Sequence, residues 1–263
     1  MPDNLTLPGY KFLFKWTLAN TLSWALGLIA SGVGFMLGEL ALMAASSLLK
    51  LHFDGVSRFV LIGLFPGASG GALLGACVGW AQQLVLRPYL PRPRQWVLAS
   101  VAAGALGGAV GCAIDLATDL RTGGAVGLMV GFAVAGGLQY RILRERVAGA
   151  GRWVIMNIAG GALAFAVDLA TVMAGTALAV RRVPLGMTPG TLYPREMDAA
   201  VRQVGEVMGV TLGTILGAAL VGAMMGAVLM VLLRRPRAEA VIVAASTASP
   251  LVGGHKALCY NAK

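Results

Sequence analysis

The chain reads as an all-α polytopic membrane protein: six transmembrane helices forming three parallel two-helix repeats, with glycine-rich packing. Three observations predict this. Of 263 residues, 57% are hydrophobic and only 12% charged, with a mean hydropathy of +0.78, too little polar surface to cover a water-soluble globule. Six apolar stretches reach the roughly 20 residues that a helix needs to cross about 30 Å of hydrocarbon. Short sequence units also recur at corresponding places along the chain. This balance speaks against a soluble enzyme, a nucleic-acid binder or a secreted disulfide scaffold, so lipid bilayer rather than nucleic acid is the expected partner. Cys77, Cys112 and Cys259 stand at unrelated positions and suggest neither a disulfide pair nor a metal knuckle.

The spans follow in order as 16–37, 59–86, 96–120, 124–143, 153–180 and 207–233. Lys11 and Lys15 precede the first, which is too long for a cleaved signal segment and reads as a retained helix. The stretch 38–58 flanks a short apolar run with Glu39, Lys50, His52 and Asp54 and is expected to lie on the membrane surface. In the second span, Phe65-Pro66-Gly67 predicts a kink or the start of regular helix after a broken turn. Between the fifth and sixth, the connection 181–202 carries Pro184, Gly186, Pro189, Gly190 and Pro194, then a charged amphipathic turn over 195–206, a candidate cap or docking element. Residues 1–236 form one transmembrane domain, and 237–263 a tail expected to be flexible.

Charge sets the orientation. The net charge is +10, and 14 of the 21 basic residues, against three acidic ones, fall on the N-terminus, the two short connections after spans two and four, and the tail. The positive-inside bias then places both termini in the cytoplasm of a bacterial cell, in its inner membrane.

The repeated units carry more information. Lys15-Trp16-Thr17-Leu18-Ala19-Asn20, Gln95-Trp96-Val97-Leu98-Ala99-Ser100 and Arg152-Trp153-Val154-Ile155-Met156-Asn157 each open a span. Gln82-Gln83-Leu84-Val85-Leu86-Arg87 and Gln139-Tyr140-Arg141-Ile142-Leu143-Arg144 each close one, and both units recur at an offset of 57 residues. A degenerate third copy, Leu232-Leu233-Arg234, aligns Arg234 with Arg87 and Arg144. The chain parses into modules 16–87, 96–144 and 153–234. All three cross in one sense, which implies a pseudo-threefold along the membrane normal rather than the inverted symmetry common in transporters. The pattern of Gln-x-x-Val-Leu-Arg, nine-residue basic loop and Trp-Val-x-Ala-Ser resembles a group of uncharacterised multi-pass bacterial membrane proteins, best over residues 60–170. With no activity assigned to that group, the resemblance implies topology and transfers no functional residue.

The repeated residues have physical readings. Trp16, Trp96 and Trp153, with Arg87, Arg144 and Arg152, suit anchors at headgroup depth. Asn20, Ser100 and Asn157 lie one helical turn deeper, level with Gln82 and Gln139, which suggests an interhelical polar clamp pairing Gln82 with Ser100 and Gln139 with Asn157. The alternative is a polar ring lining a pathway. Glycines recur every fourth residue at Gly63, Gly67, Gly71, Gly75 and Gly79, at Gly123, Gly127 and Gly131, and at Gly205, Gly209, Gly213 and Gly217. Such a glycine zipper brings helix backbones close, here as an even-helix core against small faces of the odd helices.

Intramembrane carboxylates are functional candidates. Asp115 and Asp168 each sit in an aliphatic-Asp-Leu-Ala-Thr pentad, either as a structural ion pair or helix-end hydrogen bond, or as an ion or proton site in an outer vestibule. Gly67-Ala68-Ser69-Gly70 matches the Gly-x-Ser-Gly of rhomboid proteases, but that chemistry needs a neighbouring histidine, and His52 and His255 fall outside the spans. No catalytic, metal or cofactor motif is apparent, and no cofactor is expected. The function ranked first from sequence is a non-enzymatic accessory or scaffolding subunit, with a membrane-protein partner or a homo-oligomer. The rival is a small-solute or ion channel or transporter using Asp168 and Asp115. A continuous cavity would favour the rival and a dry core the subunit.

Overall fold

A computed structural model describes residues 8–49, 55–90, 93–118, 123–181 and 195–234. It contains six helices: α1 (Tyr10–Leu49), α2 (Gly55–Leu86), α3 (Pro93–Thr118), α4 (Gly123–Leu143), α5 (Gly151–Arg181) and α6 (Arg195–Leu233). Every one includes a stretch long and apolar enough to span a bilayer, and the chain is a multi-pass membrane protein. His52, His255, the connection 182–194 and the tail from 235 lie outside the described residues, as do the expectations placed on them.

Two elements run longer than expected. The segment from 38 to 49 is not a separate surface helix: α1 continues through it for 40 residues. Glu39, Leu40, Ala41, Leu42 and Met43 are good helix formers, and Gly38 fits against α2, where an added Cβ would stand 2.7 Å from the Pro66 Cα and 2.8 Å from the Ser69 Oγ. The charged turn at 195–206 is likewise the first part of the 39-residue α6. The helix α2 runs unbroken through Pro66, which is fully buried inside it, and Ser69 Oγ donates to the Phe65 carbonyl at 2.8 Å.

Among the described residues the backbone of each helix comes close only to those of its neighbours in sequence, and that of α1 to α6. The helices therefore form a closed ring, α1 to α6 and back, with no even-helix core at its centre. The outward side is apolar: Phe14, Leu18, Leu22 and Leu26 of α1, Leu98 and Leu106 of α3, Ile155 of α5, and Leu212, Leu216 and Leu220 of α6 are exposed, a surface suited to lipid tails.

Glycine decides how closely the seams approach. Across α2 and α3, a Cβ on Gly67 would collide with the Gly108 carbonyl oxygen and one on Gly71 with that of Gly104, and the reverse collisions hold for Gly104 and Gly108. Gly107 and Gly111 of α3 face Gly127 and Gly123 of α4 in the same reciprocal way. Across α5 and α6 the spacing is wider, since a Cβ on Gly217 would meet the Ala164 Cα at 3.6 Å, an ordinary contact.

The short connections at one end match bond for bond. After α2, Arg87 N–H donates to the Gln83 carbonyl, and Tyr89 and Leu90 to that of Leu86; after α4, Arg144 donates to Tyr140, and Arg146 and Val147 to Leu143. Each pair differs by the offset of 57 residues read from the sequence.

Candidate functional site

The repeated tryptophans meet one another inside the ring rather than facing its outer surface. Trp16, Trp96 and Trp153 are 0% exposed, with ring centroids 6.5, 6.3 and 5.6 Å apart for the 16–96, 16–153 and 96–153 pairs. This corrects the anchor reading for the tryptophans. Their physical reason for being inside is that each indole covers the others, and two of the three N–H groups find acceptors across a helix joint. Arg87, Arg144 and Arg152 stand exposed at the same end, and exposed aromatics include Tyr10, Phe14 and Trp80.

One turn further along the odd helices lies a collar of buried polar side chains: Asn20, Gln82, Ser100, Gln139 and Asn157. Its pairing differs from the expected clamp. Gln82 accepts from Trp96 Nε1 at 2.7 Å and donates from Nε2 to Asn20 Oδ1 at 2.8 Å. Gln139 accepts from Trp153 Nε1 at 3.0 Å and donates to Ser100 Oγ at 3.2 Å. Each glutamine thus reaches the tryptophan of the following odd helix and the collar residue of the preceding one. Gln82 with Ser100 and Gln139 with Asn157 are not the bonded pairs, because Ser100 Oγ and Asn157 Nδ2 each turn back to the carbonyl four residues earlier, on Trp96 and Trp153. Asn20 Nδ2 does the same to Trp16.

The third joint, between α6 and α1, departs from this pattern. Its register is fixed by what the glycines face: Gly79 abuts the Ser100 Cβ and Val97 Cα, Gly136 the Asn157 Cβ and Val154 Cα, and Gly222 the Asn20 Cβ and Thr17 Cα. Seven residues on, Leu86, Leu143 and Leu229 are all fully buried. Three residues on stand Gln82, Gln139 and Met225. The sequence alignment of Arg234 with Arg87 and Arg144 is therefore one helical turn off. Arg234 extends beyond its apparent counterparts, and its Nε donates to the Pro8 carbonyl at 2.9 Å. With methionine in the glutamine position, Trp16 Nε1 is buried and has no hydrogen-bond partner among the described residues.

Beyond the collar lies a cavity of about 270 Å³ lined from all six helices, far above the ~10–15 Å³ that admits one water. Glycines of α2, α3 and α4 form much of its wall, and Trp24 and Phe132, stacked at 6.1 Å, stand in it. The lining runs along α3 from Ser100 to Asp115, about 22 Å by helical rise. At that far end Asp115 Oδ1 accepts from Gly123 N–H at 2.6 Å, so the carboxylate satisfies one of the open donors at the start of α4. Asp168 falls on α5, with its side chain outside those described. Among the described residues no three histidine, cysteine or carboxylate side chains converge.

Comparison of the chain with protein-family models, curated proteins and solved structures gives no match. Sequence reasoning missed Met225 and the inward aim of the tryptophans. The available signal for the second was that Trp16, Trp96 and Trp153 share a helix face with Asn20, Ser100 and Asn157, which lipid does not favour.

Proposed function

We propose that this multi-pass membrane protein takes a small solute or ion into its central cavity, as a channel or transporter, and carries out no covalent chemistry. The observation that supports this best is the cavity lined from all six helices, polar at its tryptophan end and carrying Asp115 at the other. A bundle whose only task is to pack would fill that space. We read the ring as three parallel hairpin copies zipped by glycine, with the basic connections on the cytoplasmic side of a bacterial inner membrane. The matched turns and the two matched tryptophan–glutamine joints support that reading. In it, the tryptophan triad closes the cytoplasmic end, and Asp115, with Asp168 on the same side, belongs to the outer mouth.

A second reading, an accessory or scaffolding subunit or a homo-oligomer, is supported by α1. Its apolar run from Tyr10 to Leu48 covers 39 residues, about 58 Å of helix, well beyond the hydrocarbon thickness, and Leu40, Met43 and Leu48 are exposed along it. Flux of glycerol, urea and potassium into proteoliposomes separates the two. A solute pathway gives protein-dependent flux of at least one probe, altered by Asp115→Asn. Folded protein that passes none of them and co-elutes with a stoichiometric membrane partner would put the subunit reading first.

A further inference from the structure

The three tryptophan joints are built alike, yet one lacks its latch. At α2–α3 and α4–α5 a glutamine holds the indole of one odd helix and the collar residue of another, two buried hydrogen bonds per joint. At α6–α1 the corresponding Met225 offers neither a strong acceptor nor a donor. Among the described residues Trp16 Nε1 is left buried without a partner, and no glutamine reaches Asn157 on the other side. Trp16 also sits further from its two companions than they do from each other. Burying an unpaired indole N–H is unfavourable, so an arrangement that lets it reach water or another acceptor recovers that penalty and offsets part of the packing lost on opening. For Trp96 and Trp153 the same movement would break a bond instead.

We propose that the α6–α1 joint is the gate of the ring: it opens while the other two stay latched, and its opening withdraws Trp16 from the triad and unseals the polar end of the cavity. This rests on the reading of the cavity as a solute pathway. Several features suit the joint to that role. Met225 lines the cavity, so its unbranched side chain can repack as a solute arrives. On the cavity side Gly222 stands back: a Cβ there would be 3.0 Å from the Asn20 Cβ and 3.7 Å from the Thr17 Cα, where Gly79 and Gly136 bring the corresponding atoms of α3 and α5 to between 2.7 and 3.3 Å, and one turn on, Gly226 meets side chains alone, those of Trp16 and Leu13. Meanwhile the bond from Arg234 to the Pro8 carbonyl ties the chain just beyond the tryptophan-side ends of α6 and α1, which keeps the two helices together while the joint between them loosens.

The test restores the latch. Met225→Gln supplies an acceptor for Trp16 Nε1 and a donor for Asn157 in the geometry of the other two joints. In nanodiscs, protein labelled with 5-fluorotryptophan gives one fluorine resonance for each of its five tryptophans, assigned by single Trp→Phe substitutions. The Trp16 line should be exchange-broadened or split, and the Trp96 and Trp153 lines narrow. Met225→Gln should collapse Trp16 to a narrow line and lower potassium, glycerol or urea flux by about 3- to 10-fold, the population change that one buried membrane hydrogen bond supports. In Gln82→Met, a second open joint should broaden Trp96. A Trp16 line as narrow as the other two in the unsubstituted protein would overturn the gate, whatever the flux. So would unchanged flux in a Met225→Gln protein whose Trp16 line has sharpened. If the unsubstituted protein passes no probe while Trp16 is broad and Met225→Gln sharpens it, the mobile joint stands and the solute-pathway reading falls.

Discussion

The wall formed by α2, α3 and α4 and the wall formed by α5, α6 and α1 enclose the same cavity by different means. In the first, glycines on facing helices bring backbone against backbone, with carbonyl oxygens lying where side chains would begin. In the second, side chains fill more of the seams: Gly160 faces Val221 and the Met224 and Met225 side chains, Gly226 faces those of Trp16 and Leu13, and Gly217 stands at ordinary contact distance from the Ala164 backbone. Backbone-to-backbone seams have no rotamers with which to adjust. Side-chain seams do. The difference teaches that one half of the ring is a fixed wall and the other a deformable one.

Substituting the same residue type in both walls tests this most directly. Gly71→Ala places a methyl group against the Gly104 carbonyl and should cost about 2–3 kcal/mol of stability by overpacking, read as a lower midpoint of thermal or detergent unfolding in micelles. A midpoint at or above the parent's would show that the first wall can shift, and the contrast would collapse. Gln82→Leu removes the latch that runs beside that wall, leaving the Trp96 indole N–H without its acceptor. A loss of about 1–2 kcal/mol is expected, with a red-shifted or quenched tryptophan emission reporting on the triad. At the far end of the wall, Asp115→Ala strips the acceptor from the first residue of α4 and should cost about 1 kcal/mol. Asp115→Asn should recover most of it in stability while still altering flux, separating the carboxylate's capping role from its charge. Last, Gly217→Ala in the second wall has room for its methyl group and gains helix propensity, so its midpoint should rise by the equivalent of about 0.5–1 kcal/mol. A fall there would mean that the second wall is as tight as the first.

Much of the fold was legible because bilayer thickness and hydropathy act on each span separately. All six helices lie where the apolar runs place them. The glycines at 67, 71, 104 and 108 lie on helix faces that meet. What the sequence could not carry is direction around the ring. Gln82, Ser100, Gln139 and Asn157 are correctly level with one another, but depth along a helix does not say which neighbour a side chain turns to, and the glutamines turn to the tryptophans. A tryptophan at the start of a span has the same signature whether it meets headgroups or two other tryptophans. Arg234 misled the alignment of the third copy because a charge marks where a helix leaves the membrane, whereas packing register is marked by Gly222 and Leu229. The cavity was the least legible feature, since it exists only once α1 meets α6, more than 200 residues away in the chain.

That meeting of first and last helices also governs assembly. Spans inserted in order can form the joints at α2–α3 and α4–α5 as soon as their partners arrive, each between helices adjacent in sequence. The remaining joint must wait for the end of synthesis, so a five-helix intermediate is a cleft that presents the Trp16 indole and the polar collar to lipid. Long-range closure of this kind is slow compared with pairing of sequence neighbours. The final span therefore does more than add a helix: its arrival converts a groove open to the bilayer into a cavity lined from all six helices, and a chain stalled or truncated before α6 would expose its most polar interior to the membrane, a surface that quality-control proteases can recognise.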